Sequence, residues 1–331
     1  MFSSSGNFSL FKISIIFIVA PISLKLYVDN MKSLSAIKGR RLEPNQTVGI
    51  ISPASPVTLP EIQESLNLLE SFPLKITVGK YTFETKNYLA GSDHERLSDL
   101  HEMFSDPDIR VIFCARGGYG SIRLLDKIDF DLIRKNPKIL IGFSDLTVLL
   151  MAIYKRCGLV TIHGPTLKDL HKNKNWQNLY RLITTDHKPR IFLNRGQVIN
   201  KGSAKGILLG GNLATICSLL DTPFLPSFDG IILFLEEKGE SPYRLDRMIT
   251  QLSLSNLLNR LSGLVIGQIE DSGKKEIIDS VLKERLSGLD IPVITGLPVG
   301  HGSENLSLPL GLPALLDTEQ MVLEIEESAV V

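Results

Sequence analysis

Cysteine is scarce: Cys114, Cys157 and Cys217 are the only three in 331 residues, and no two fall at C-x-x-C spacing. That excludes a disulfide scaffold and a zinc ribbon and points to a reducing compartment. Net charge is missing as well, because 36 Lys and Arg stand against 36 Asp and Glu. No global basic field is available for nucleic acid, although a local patch stays open. Internal repeats and low-complexity tracts are absent, which sets aside solenoids and compositionally biased tails. What is present is a globular composition, 43% apolar and 22% charged. A chain of this length accommodates about two domains of roughly 150 residues, each able to bury a sizeable core.

Residues 1–30 differ from the rest. The apolar run from Ile13 to Leu24 lies between Lys12 and Lys25 and is interrupted by Pro21. It falls short of the roughly 20 apolar residues of a membrane span. A signal-peptide core has this length, yet no A-x-A-like cleavage site follows and no positive side chain precedes Lys12. Three readings stay open: an extension ahead of a start at Met31, a signal, or an anchor.

The expected fold class is α/β, with an N-terminal domain built on a mainly parallel sheet flanked by helices and a smaller C-terminal α/β domain. TVGIIS from Thr47, RVIFCA from Arg110 and KILIG from Lys138 are apolar throughout, as strands covered on both faces are. Helical stretches alternate with them: Pro60 opens EIQESLNLLES in the favoured first-turn position, and others follow near Asp93 and Asp145. This alternation implies right-handed βαβ crossovers. Residues 31–171 are assigned to the first domain. Residues 172–204 are polar, hold the only tryptophan, Trp176, and are assigned as a linker. Residues 205–331 form the second domain, with strands expected at Gly206–Leu209, Ile231–Glu236, Gly263–Ile269 and Pro292–Thr295. Between them Leu245, Met248, Ile249 and Leu252 make one apolar helix face.

The chemistry is concentrated at strand ends. In ILIGFSDLTVLL an apolar strand stops at Gly142-Phe143, Ser144 follows, and a helix starts at once. This is the layout of a nucleophile elbow, although Leu146 replaces the second glycine of G-x-S-x-G. An ordinary N-cap serine is the competing reading. In CARGGYGSIRLL paired glycines again sit between a strand and a helix, where exposed amides suit an oxyanion hole or a plain tight turn. A phosphate cradle is disfavoured, since GGYG is not G-x-G-x-x-G and the Walker lysine pattern is missing. A hydroxyl nucleophile needs a base, and the base needs an orienting carboxylate. His163 and His301 lie in HGP and GHG just after strands, whereas His94, His101, His171 and His187 have polar or helical surroundings. Glu236 ends the strand IILFLE, a costly place for an ion without a partner. Its partner could be a histidine, or an arginine such as Arg244 or Arg247; Glu237 alternates to the opposite face.

VGIISPASPV, ARGGYG, IGFSD, HGP, LLGGNL, LFLEE followed by SPYRLDRM, and PVGHGSENLSLPLG occur in this order between Thr47 and Glu327. In order and spacing they resemble the LD-carboxypeptidase (muramoyltetrapeptide carboxypeptidase) family of serine peptidases, which also contains the microcin C7 self-immunity peptidases. One departure is Glu237, which stands where relatives often carry Asp. The resemblance implies Ser144 as nucleophile, His301 as general base and Glu236 as the acid that orients it. It implies an oxyanion hole from the amides of Asp145 and of Gly118 or Gly117, with Gly118 preferred. Arg116 is the candidate for the free carboxylate of the substrate. The implied reaction uses no metal and no cofactor, and removes a terminal D-alanine from murein tetrapeptide during peptidoglycan recycling in the cytoplasm. Homodimers are the common assembly of the family. Residues 1–30, if a signal or anchor, would place the protein elsewhere. The competing functions are another serine hydrolase (amidase, esterase or microcin-conjugate peptidase) and a non-catalytic small-ligand binding protein.

Overall fold

A computed structural model describes residues 36–302 and 304–331. The readings made for residues 1–30 lie outside the described residues. Among the described residues no helix is long and apolar enough to cross a membrane.

In chain order the strands are β1 (Thr47–Ile51), β2 (Lys75–Val78), β3 (Ile109–Cys114), β4 (Ile139–Gly142), β5 (Thr161–His163), β6 (Arg190–Phe192) and β7 (Val198–Asn200). They continue with β8 (Ser203–Asn212), β9 (Ile231–Lys238), β10 (Gly263–Glu270), β11 (Val293–Ile294), β12 (Leu308–Leu310), β13 (Leu312–Asp317) and β14 (Val322–Ile325). One sheet has the order β12-β5-β4-β3-β1-β2, the other β6-β14-β13-β8-β9-β10-β11-β7.

In the first sheet β1 to β5 pair in parallel. β1 and β4 are buried at every position. That is the outcome their unbroken apolar sequences require, because helices cover both faces of such a sheet. The covering helix Thr147–Cys157 is itself buried along most of its length, and a left-handed Gly158 ends it. Leu59–Glu70 and Asp93–Ser105 start with capping boxes built on Thr58 with Glu61 and Ser92 with Glu95.

The second sheet is mixed. β8, β9, β10 and β11 run in parallel, and antiparallel strands flank them on both sides. β8 spans Ser203–Asn212 and is longer than the expected Gly206–Leu209. Residues 172–204, expected as a linker, hold the helix Trp176–Thr184 and the edge strands β6 and β7. The two sheets are also interlaced, since β12 leaves the second half of the chain and pairs antiparallel with β5 of the first sheet. Short antiparallel edge strands carry little hydrophobic periodicity, which is why the sequence pattern missed them.

Candidate active site

Ser144 sits at the apex between β4 and the helix Thr147–Cys157, in a single 3₁₀ turn spanning Ser144–Leu146. Its φ is 62°, a left-handed conformation that costs a non-glycine residue roughly 1–3 kcal/mol. The extended Phe143 is the N-cap of this turn, so Ser144 is its first residue and not its cap. Strain at the turn and a hydroxyl free of capping duty are the features of a nucleophile elbow.

The GGYG loop lies directly against this serine. A Cβ added at Gly117 would stand 3.1 Å from Ser144 Cβ and 3.3 Å from its Oγ, so a side chain there would push the loop or the serine by a few tenths of an ångström. Gly118 follows with φ 104°. A set of hydrogen bonds fixes the loop. The amide of Ser55 donates to Gly117 O at 3.2 Å, and the amide of Tyr119 donates to Ser55 Oγ at 3.1 Å. Asp145 Oδ2 accepts from the Ser121 amide at 2.9 Å and its hydroxyl at 2.7 Å. Arg96 is completely buried and donates to the carbonyls of Pro53 and, at 2.9 Å, Gly120, while also pairing with Asp93 at 2.6 Å. One guanidinium thus holds the loop after β1 and the loop after β3 together. Neither Arg96 nor Ser55 stood out in the sequence, because a buried arginine on a polar helix looks like any surface arginine until the fold closes around it.

The second half of the chain supplies the acid and the imidazole. Glu236, near the end of β9, is fully buried and accepts from His301 Nδ1 at 2.8 Å. This bond fixes the imidazole orientation and leaves Nε2 as the nitrogen for a hydroxyl. Gly300 (φ 138°) is required beside it, since a Cβ there would stand 3.1 Å from Glu236 Oε2. The arginines considered as partners go elsewhere: Arg244 faces Glu240, and Arg247 lies over the Tyr243 ring. Glu237 points to the opposite face, where it accepts from Asn212 Nδ2 at 2.9 Å and the Ala214 amide at 2.7 Å. Burial is the main cause that raises its pKa. The Asn212 amide donates in turn to Thr147 Oγ1 at 3.2 Å, tying the second sheet to the elbow helix.

The ring of Phe143, the residue before Ser144, packs against His301 with centroids 4.8 Å apart. Among the described residues no hydrogen bond joins Ser144 Oγ to His301. His163 stands behind the pair, edge-on to Phe234 at 4.9 Å and with neither ring nitrogen partnered among the described residues. Burial, then the proximity of His301, pushes its pKa down to about 3, so it is neutral at physiological pH. Arg116 donates to Pro56 O at 3.0 Å and faces Glu61 at 3.9 Å. Among the described residues no group of three or more His, Cys, Asp or Glu is arranged to hold a metal ion.

The family model for the LD-carboxypeptidase N-terminal domain matches residues 48–164, and that for the C-terminal domain matches residues 205–316. The chain is 36% identical to a probable murein peptide carboxypeptidase of Bacillus subtilis, over 87% of this chain and 94% of that protein. Among solved structures, the microcin C7 self-immunity protein MccF in complex with glutamyl sulfamoyl guanosine superposes with a TM-score of 0.83 at 27% identity, covering 89% of this chain and 99% of that one. The muramoyltetrapeptide carboxypeptidase of Oxalobacter formigenes gives 0.75 at 29% identity, with 84% and 97% covered. The chain belongs to the LD-carboxypeptidase family and is a serine-type peptidase.

Proposed function

We propose that the protein hydrolyses the L,D peptide bond at the end of a murein tetrapeptide and releases the terminal D-alanine, as a step in peptidoglycan recycling. The observation that carries the reading is the Glu236–His301 bond of 2.8 Å beside the strained Ser144 elbow. Ser144 Oγ attacks the carbonyl carbon of the L-configured centre while His301 Nε2 takes its proton. The amides of Asp145 and Gly118 face the oxyanion, where preorganised donors contribute most because the charge develops there. Collapse of the tetrahedral intermediate breaks the C–N bond, and His301 returns the proton to the departing amine. Water, deprotonated by the same imidazole, then cleaves the acyl-enzyme and restores Ser144. The Glu236 carboxylate holds the ring and stabilises the imidazolium at each stage.

Sequence likeness supports the substrate class: identity is 36% to the probable murein peptide carboxypeptidase of Bacillus subtilis and 29% to the microcin C7 self-immunity protein MccF of Escherichia coli, which favours a murein peptide over a microcin-type conjugate. Mass spectrometry of a tetrapeptide digest tests the reading. The wild type converts tetrapeptide to tripeptide and D-alanine, and Ser144→Ala lowers the rate at least about 10,000-fold with the fold intact. Full activity of Ser144→Ala, or an untouched tetrapeptide with the wild type, refutes it.

A further inference from the structure

His301 lines a cavity of about 430 Å³ together with Phe143, Asp169, Lys172, Asn173 and Lys238. Its two ammonium groups come from the two halves of the chain. Lys172 follows the short helix Leu167–Leu170, and Lys238 ends β9, two residues beyond Glu236. Lys172 has no ion-pair partner among the described residues. Lys238 faces Asp271 at 3.6 Å, and Asp271 is 73% exposed. An open pair of that length contributes little and leaves the ammonium able to turn. Asp169, the one acid in the lining, accepts from Thr166 Oγ1 at 3.0 Å.

Arg116, the candidate from sequence, is placed differently. Its guanidinium is committed to Pro56 O and faces Glu61, and it does not line the cavity beside His301. Lys168, bonded to Glu61 at 2.5 Å, is the main cause that lowers the Glu61 carboxyl to about 2, so Arg116 faces a carboxylate that is ionised at neutral pH.

The group that protonates a leaving nitrogen has to stand beside the leaving residue. The His301 side of Ser144 is therefore the side of the departing amino acid, and in a carboxypeptidase that residue carries a free carboxylate. We infer that Lys172 and Lys238 are the specificity-determining residues that hold this carboxylate in the cavity beside His301. The inference rests on the peptidase reading of Ser144 and His301. It assigns selection for a free C-terminus to a charge pair that assembles only when the two halves of the chain come together.

The test compares the wild type, the Lys172→Met/Lys238→Met double variant and the Lys172→Arg/Lys238→Arg double variant on a murein tetrapeptide and on its C-terminal amide. Both lysines are exposed, so melting temperatures are expected to match the wild type. Removing one charge-assisted hydrogen bond to the carboxylate lowers kcat/KM about tenfold, so the Met double variant falls about 100-fold on the acid, chiefly through KM. The Arg double variant stays within about threefold, and the low rate on the amide is the same in all three proteins. A wild type that cleaves neither peptide overturns the peptidase reading and this inference with it. An active wild type whose acid-to-amide ratio survives the Met double substitution overturns the inference alone.

Discussion

Ser144 holds its left-handed φ of 62° because β4 and the buried helix Thr147–Cys157 fix the chain on both sides of it. Alanine at this position keeps the strain and loses the hydroxyl, whereas glycine loses both. Ser144→Gly is therefore expected to be more stable than Ser144→Ala by about 1 kcal/mol, with both inactive, in denaturant titrations. His163 gives a second prediction at this scale. Its folded pKa lies near 3, below the usual histidine value, so above pH 6.5 neither the folded nor the unfolded chain is charged there. As pH falls from 6.5 toward 3 the unfolded chain takes up the proton first, and stability drops by up to about 1.4 kcal/mol per pH unit. His163→Leu should remove this part of the acid sensitivity, read from unfolding midpoints between pH 7 and 4. Ser144, Glu236 and His301 were visible in the sequence because each ends a strand or follows one, and strand ends are where α/β sheets present side chains to a ligand. The carboxylate-binding lysines were not visible, since neither lies in a motif and their meeting depends on the whole fold.

At the scale of elements, two loops from neighbouring strands share one buried cation. Arg96 bonds carbonyls in both the loop after β1 and the GGYG loop, and removing it strands the buried oxygens of Pro53 and Gly120, while Asp93 keeps its pair with Arg123 at 3.0 Å. Arg96→Ala is expected to cost about 3 kcal/mol in a denaturant titration and to lower kcat more than KM, because the glycine amides lose their support. Arg96→Lys keeps the charge but not the forked geometry and should recover only part of either quantity. The parallel strands that carry these loops were legible, their apolar sequences being unbroken. β6, β7 and the run β12–β14 were not, because short antiparallel strands of three to six residues are decided by the partner they find rather than by their own pattern.

For the whole molecule, the division suggested by sequence into two successive domains meets a counter-current of chain. β12 completes the first sheet by pairing with β5, Arg41 N donates to Val331 O at 3.0 Å, and Val331 N donates to Gly39 O at 3.1 Å. Without β12 the edge of β5 would be open, so residues 36–171 are not expected to fold alone. Calorimetry should accordingly show one transition with matching calorimetric and van't Hoff enthalpies, whereas two resolved transitions would show halves that are independent. The same interlacing brings His301, between β11 and β12, to the elbow of the first sheet, so the site exists only in the joined molecule. Labelling with a fluorophosphonate, followed by peptide mapping, tests that convergence most directly. A single adduct on Ser144 is expected, formed at least about 100-fold more slowly in His301→Ala and in Glu236→Gln. An adduct on another residue, or labelling of Ser144 at an unchanged rate in both variants, would contradict the account.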